Sequence, residues 1–254
     1  MTDFERCEAV KLAIAQTRPI RGNVAANLIQ HQRWVTLAAR YEADVLMFPE
    51  LSLTEYEPSR AKTLAMSATD PCLEPLQQLA DRHQLTIAVG MPMSYDRGVS
   101  IGVLLFHPNA MRQAYLKQYL HSDEEPFFHA GRHLTQTIAT APEVAIAICY
   151  ELSVPAHAQQ AAATGAQVYL ASVAKSATGI EKAAVRLAAI AQQYSFQVMM
   201  VNCVGPCEDF EGAGGSAVWN REGSLLAQLD SRHEALMILD TETEAVIMPS
   251  ISES

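Results

Sequence analysis

Three polar residues stand at the ends of apolar runs, and together their types could cleave an acyl–nitrogen bond. They are Glu50 after ADVLMFP, Lys117 within QAYLKQYL and Cys149 after VAIAI. A charge at the end of a buried strand has to be paired or neutralised, because isolated burial is costly. One reading makes Glu50 and Lys117 a structural ion pair beside a cysteine that serves as a small hydrophobe. The other gives each residue a task. Cys149 is the nucleophile, and a thiol that is mostly protonated at neutral pH needs an adjacent base. Glu50 takes that proton and returns it to the leaving amine. Lys117 holds its charge near the carbonyl oxygen and stabilises an oxyanion together with a backbone N–H, with Tyr150 as the candidate donor.

The elements that must position these groups are legible around them. The β-branched run 144–148 reads as a buried strand, with Cys149 at its tip. Pro155 and the Ala/Gln-rich segment behind it open a helix, whose partial positive end favours a thiolate at Cys149. Earlier in the chain, strands are expected at 10–15, 43–48, 85–90, 100–106 and 113–120, with helices at 23–41 and 71–84. The segment 121–131, HSDEEPFFHAG, reads as a loop. Beyond the cysteine come a helix at 156–164, a strand at 167–171, a helix at 180–194 and a strand at 197–202. A Gly-rich stretch, EGAGGSAVW, leads into a further strand. The strands 224–229 and 235–239 are expected to form a final pair, followed by a loose acidic tail. This alternation predicts a layered α/β protein with helices outside a sheet core, as a single domain over 1–254.

Bulk properties narrow the class. With 254 residues, 49% hydrophobic and 18% charged, the chain is globular. A net charge of −10 argues against nucleic acid or an anionic membrane as the main partner. No apolar run reaches the length of a membrane span, and the opening residues lack the pattern of a signal peptide. Five cysteines without a framework of spacings fit free thiols in a reducing compartment, so a cytoplasmic location is expected. Cys203 and Cys207 lack a second Cys/His pair nearby, which makes a zinc site improbable. The chain has neither HExxH nor GxSxG, and EGAGGS lacks the trailing lysine of a phosphate loop.

FPE at 48–50, YLKQYL at 115–120 and ICYE at 148–151 resemble, in order and spacing, the three signature segments of the nitrilase, or carbon–nitrogen hydrolase, superfamily. The resemblance implies a four-layer αββα sandwich and a Glu–Lys–Cys triad of Glu50, Lys117 and Cys149. That triad hydrolyses non-peptide C–N bonds through a thioester. The resemblance implies neither metal nor organic cofactor, and a homodimer or larger homo-oligomer. The family also carries a second glutamate in the loop after the lysine, seven residues before a glycine. Counting back from Gly131 gives Glu124, with Asp123 and Glu125 beside it; the bland alternative is a solvated acidic loop.

Departures from the pattern matter too. Where many members read Y-D-x-R-F-P-E after the cysteine, this chain reads YELSVPA, without the arginine and the later acid. Tyr150 stands where true nitrilases usually show tryptophan, which favours an amide or carbamoyl substrate over a nitrile. SVAKSATG replaces the aromatic segment of many amidases and puts Lys175 near the expected pocket wall. There it would bind a substrate carboxylate or stand as an exposed loop lysine. A catalytically idle binding or assembly scaffold is the alternative from another class.

Overall fold

In the computed structural model, residues 10–95, 98–132 and 136–249 are described. The chain opens with β1 (Lys11–Gln16) and α1 (Val24–Arg40), whose first turn is capped by the Asn23 side chain accepting the Ala26 N–H. Next come β2 (Val45–Met47), the short α2 (Ala61–Leu64) and α3 (Glu74–His83). The long strands β3 (Thr86–Tyr95) and β4 (Gly98–Phe106) and the short β5 (Gln113–Leu116) follow. The second half begins with β6 (Thr137–Ile138), β7 (Ala141–Ile148), α4 (Pro155–Ala163), β8 (Val168–Ser172) and α5 (Ala177–Tyr194). It continues through β9 (Gln197–Val201), a small hairpin of β10 (Val204–Pro206) and β11 (Glu211–Ala213), and β12 (Ala217–Trp219). The last strands are β13 (Leu225–Gln228), β14 (Ala235–Asp240) and β15 (Val246–Ile247).

Two large sheets result, one ordered β15-β14-β1-β2-β3-β4-β5 and the other β13-β12-β9-β8-β7-β6. Alternate side chains along each strand separate into two cores, as a period of two requires. Leu12, Ile14, Val45, Met47, Val103 and Tyr115 of the first sheet meet Val144, Ile146, Ile148, Leu170 and Val201 of the second in one buried cluster. The opposite faces pack on helices. Leu46, Phe48, Ile87 and Val89 lie with Trp34 and Val35 of α1 and Leu76 of α3, while Ala145, Tyr169 and Val198 lie with Ala158 of α4 and Leu187 of α5. This is a four-layer αββα sandwich, the fold that the motifs imply.

Some expectations need correction. The strands expected to form a final pair belong to different sheets: β13 pairs with β12, and β14 pairs with β1. Gln16, at the end of β1, explains the divergence. Its amide donates to the carbonyls of Asp230 and His233 (both 2.8 Å), drawing the connecting loop across to the first sheet. The strand expected over 113–120 stops at Leu116, and the tail contributes β15 to the sheet edge.

α1 also buries a histidine behind the site. The His31 Nδ1–H donates to the Asn27 carbonyl (2.7 Å), and Nε2 meets the Ser52 hydroxyl (3.0 Å). The ring lies 4.0 Å from that of Phe48. Burial lowers its pKa to about 4, so the folded state holds this imidazole neutral. The unfolded chain therefore binds a proton first on acidification. This contribution to stability is complete above about pH 6.5 and drains away down to about pH 4, by an amount on the order of 3 kcal/mol. His31→Gln should flatten that slope, read as the difference in denaturant midpoint between the two proteins at pH 7.5 and 4.5.

Candidate active site

Glu50, Lys117 and Cys149 arrive from three strand ends on two sheets. β2 and β5 run in the same direction, since β2 is parallel to β3 and β5 is the second antiparallel step beyond it. Their C-terminal ends therefore share an edge. Past β2 the chain turns at Pro49, where the Ser52 N–H donates to the Pro49 carbonyl (3.0 Å). Gly90 of β3 makes room for this turn, because a Cβ there would lie 2.3 Å from the Pro49 carbonyl oxygen and 2.7 Å from the Leu51 nitrogen. Lys117 follows Tyr115 by two residues and so faces the same inter-sheet space, and its N–H continues the ladder to the Ile101 carbonyl (2.8 Å). In the second sheet, Ile148 pairs with Ser172, whose hydroxyl donates to the Phe48 carbonyl (2.9 Å). That bond ties β8, the neighbour of the strand carrying Cys149, to the segment carrying Glu50.

The side chains converge. Lys117 Nζ donates to Glu50 Oε1 (2.8 Å) and to Glu124 Oε1 (2.6 Å), and all three residues are buried. Glu124 also accepts the Tyr56 hydroxyl (3.0 Å) on Oε1 and the His121 N–H (2.8 Å) on Oε2. Asp123 and Glu125 are exposed, so the loop buries one of its three acids. Glu50 Oε2 has no hydrogen-bond partner, although the Cys149 thiol lies close enough to help hold the carboxylate's charge. Burial raises the Glu50 pKa against the opposing pull of Lys117. Lys117 keeps its proton despite burial because Glu50, Cys149 and Glu124 outweigh it.

Cys149 is partly buried and sits at φ +41°, a left-handed conformation that costs a non-glycine residue about 1–3 kcal/mol. Its sulfur lies 3.8 Å from the Ala174 carbonyl oxygen. Burial, and then the charge of Glu50, push the thiol up to about 11. The thiolate expected from the neighbouring helix start is therefore overruled in the resting site. Tyr150, the next residue, is the second of a short helical turn over Cys149–Ser153, where the first N–H groups have no acceptor within the turn. Its ring is half-buried and meets the His121 ring edge-on at 5.2 Å. Lys175, one residue after Ala174, is half-buried rather than an exposed loop lysine.

A second polar layer escaped the sequence reading. Glu151, fully buried, accepts the Ile148 N–H (2.7 Å) and the Tyr115 hydroxyl (2.8 Å) on one oxygen and the Gln118 N–H (2.6 Å) on the other. It therefore grips the residue before Cys149 and the one after Lys117. His157 of α4 extends the network to Tyr115 (2.8 Å) and Tyr169 (2.7 Å). Ser153, at the position where many relatives carry arginine, receives a hydrogen bond from Arg186 of α5. Tyr56 was missed as well; nothing in its local sequence marks it. Among the described residues, no group of three or more His, Cys, Asp or Glu could hold a metal ion. No helix there is long and apolar enough to cross a membrane.

A Glu–Lys–Cys cluster at the strand ends of an αββα sandwich defines a class, and the carbon–nitrogen hydrolase family model matches residues 11–247: the chain belongs to that family. Among curated relatives it is 23% identical to an (R)-stereoselective amidase from Pseudomonas sp., covering 91% of this chain and 86% of the amidase. It is 27% identical to the "hydrolase in pqqF 5'region" of Pseudomonas protegens, over 91% and 82%. Among solved structures, an amidase from Nesterenkonia sp. superposes with a TM-score of 0.82 at 23% identity, over 92% of this chain and 91% of that one. Mutants of the Nesterenkonia sp. AN1 amidase have been solved with butyramide and with an acetamide moiety bound covalently to the active-site cysteine.

Proposed function

We propose that the protein hydrolyses small aliphatic amides through a thioester on Cys149, with Glu50 as acid and base. The observation carrying this reading is the division of labour at Glu50. Lys117 occupies one carboxylate oxygen, and the other is left without a hydrogen bond beside a protonated thiol. That oxygen accepts the thiol proton as sulfur attacks the carbonyl carbon. The resulting oxyanion is met by the Lys117 ammonium and the Tyr150 N–H. Collapse breaks the C–N bond, and Glu50 returns its proton to the departing nitrogen. Water then attacks the thioester while giving a proton to Glu50, and the sulfur leaves and recovers that proton. Glu124 holds Lys117 in place and is itself held by Tyr56 and His121. The amide-bound relative supports the choice of substrate class.

Intact mass spectrometry with acetamide, butyramide and fluoroacetamide, alongside ammonia assays, tests this reading. The expected result is ammonia release from butyramide that disappears in Cys149→Ala, and a fluoroacetamide adduct confined to Cys149. Turnover that survives in Cys149→Ala overturns the mechanism, and silence on every amide with no adduct overturns the activity.

A further inference from the structure

Two thiols take no part in the proposed chemistry and yet stand against the site. Cys203 and Cys207 are free and buried, and their sulfurs lie 3.7 Å apart. Residues four apart along an extended strand would be separated by about 13 Å, so the chain has to curl to bring the two together. It does so at β10, where Gly205, midway between them, sits at φ +92°, a conformation that glycine adopts at no steric cost. Backbone bonds then fix both ends. The Cys203 carbonyl accepts the Gly214 N–H (2.8 Å), and the Cys207 N–H donates to the Phe210 carbonyl (2.8 Å). Gly212 of β11 leaves the space that one sulfur fills, since a Cβ there would lie 2.7 Å from Cys203 Sγ. Two small hydrophobes would serve the packing equally well without meeting sulfur to sulfur.

The pair is joined to the site by contact. Cys203, Cys207 and Ala174 form one buried cluster, with Tyr56 and Phe210 packed against it. Tyr56 donates its hydroxyl to Glu124, and the Ala174 carbonyl meets the Cys149 sulfur at 3.8 Å. Asn202, next to Cys203 in the chain, holds the backbone of Lys175 at both its N–H (2.8 Å) and its carbonyl (3.0 Å). We propose that Cys203 and Cys207 are a modification site, closed by hydrogen peroxide to a reversible disulfide that slows the reaction at Cys149. The sulfur of Cys207, the more exposed of the two at 7% against 3%, attacks one peroxide oxygen. The O–O bond breaks, the departing oxygen leaves as water with the thiol proton, and Cys207 becomes a sulfenic acid. Cys203 then displaces the sulfenic oxygen, which leaves as a second water with the Cys203 proton. Two electrons have passed from the sulfurs to the peroxide, and a dithiol reductant returns them. Closure brings the sulfurs to about 2.05 Å, a movement of about 1.7 Å within a close-packed cluster. Tyr56 and Ala174 carry that movement to Glu124 and Cys149.

Trypsin releases residues 187–221 as one fragment that holds both cysteines and no other. After equimolar hydrogen peroxide and blocking of free thiols with iodoacetamide, that fragment is expected to be unalkylated and lighter than its reduced form by about 2 Da, and dithiothreitol is expected to reverse the change. The same product should form in Cys149→Ala and be lost in Cys203→Ala and in Cys207→Ala. Free or overoxidised thiols at 203 and 207, or a bridge from either to Cys149, overturn the proposal. The consequence for the site is read separately. Butyramide turnover per Cys149 that still titrates as a free thiol is expected to fall about tenfold on oxidation and to return with dithiothreitol, while Cys207→Ala keeps its rate through the same treatment. An equal loss in the two proteins, or none in either, overturns the proposal. If butyramide is not turned over at all, the rate of Cys149 alkylation by iodoacetamide, oxidised against reduced, takes the place of turnover, and an unchanged rate has the same meaning.

Discussion

Lys117→Met is expected to remove almost all activity and to leave a protein whose stability responds to pH in a new way. The substitution keeps the unbranched stem but withdraws the ammonium that bridges Glu50 and Glu124 at 2.8 and 2.6 Å. Two buried carboxylates then face each other without a cation, and breaking a buried pair in this manner typically costs about 3–5 kcal/mol. The protein's remedy is to bind a proton between them, which raises their folded-state affinity for protons above that of the unfolded chain. For such groups the folded state is favoured in acid and loses ground as pH rises. Lys117→Met should therefore lie closest to the wild type near pH 5 and furthest below it near pH 8. kcat/KM should fall by about a thousandfold or more, since in the proposed mechanism an oxyanion contact and the orientation of the base disappear together. Denaturant midpoints at the two pH values, with amide turnover, check this. A midpoint equal to that of the wild type at both values would show that the three charges are not coupled as their distances indicate.

Glu151→Gln is the second substitution with a large expected effect, although Glu151 is given no chemical step. Its side chain accepts two backbone N–H groups and a hydroxyl, with both oxygens engaged. An amide has one accepting end. In either orientation its NH2 group confronts a backbone N–H, at Gln118 or at Ile148, and leaves a buried donor unpaired. The expected loss is about 2–4 kcal/mol. Because those N–H groups flank Lys117 and Cys149, the disturbance reaches both, and a misplacement of about 1 Å can cost a hundredfold in rate. A merely structural role would lower the melting temperature and leave the folded site intact. A positioning role also slows alkylation of Cys149 well below the melting temperature, and this slower labelling is the expected result.

The meeting of Glu50, Lys117 and Cys149 was legible because each stands at the end of a run of apolar residues, where a polar side chain has few reasons to stand. Glu124 was reached by counting back from Gly131, and the structure gives the physical basis of that spacing. Gly131 donates its N–H to the Lys117 carbonyl (2.8 Å), and a Cβ on it would lie 2.6 Å from Leu116. The loop therefore leaves and re-enters at a fixed register, with its buried acid under the lysine. Glu151 was read only as the last residue of the segment ICYE and not as an anchor, because its partners are backbone groups and a tyrosine distant in the chain. Tyr56 is concealed for the same reason. The element pattern gave most of the strands, the family resemblance their division into two sheets, and the last strands were misassigned, since neighbouring strands usually pair and nothing local announces that Gln16 captures the loop between them. The two-residue strands β6 and β15 are too short to leave a periodic signal.

The return of β14 to β1 has a consequence for how the molecule comes into being. Lys11 faces Asp240 and Gln16 faces Ala235, so the first sheet is completed by strands that lie on either side of the whole second sheet in the chain. As the chain emerges during synthesis, β1 can find β2 early, yet its other edge stays open until the strands of the second sheet have been made. An unpaired edge beside apolar strands invites pairing with a second nascent copy. The arrival of residues 235–240 closes that edge.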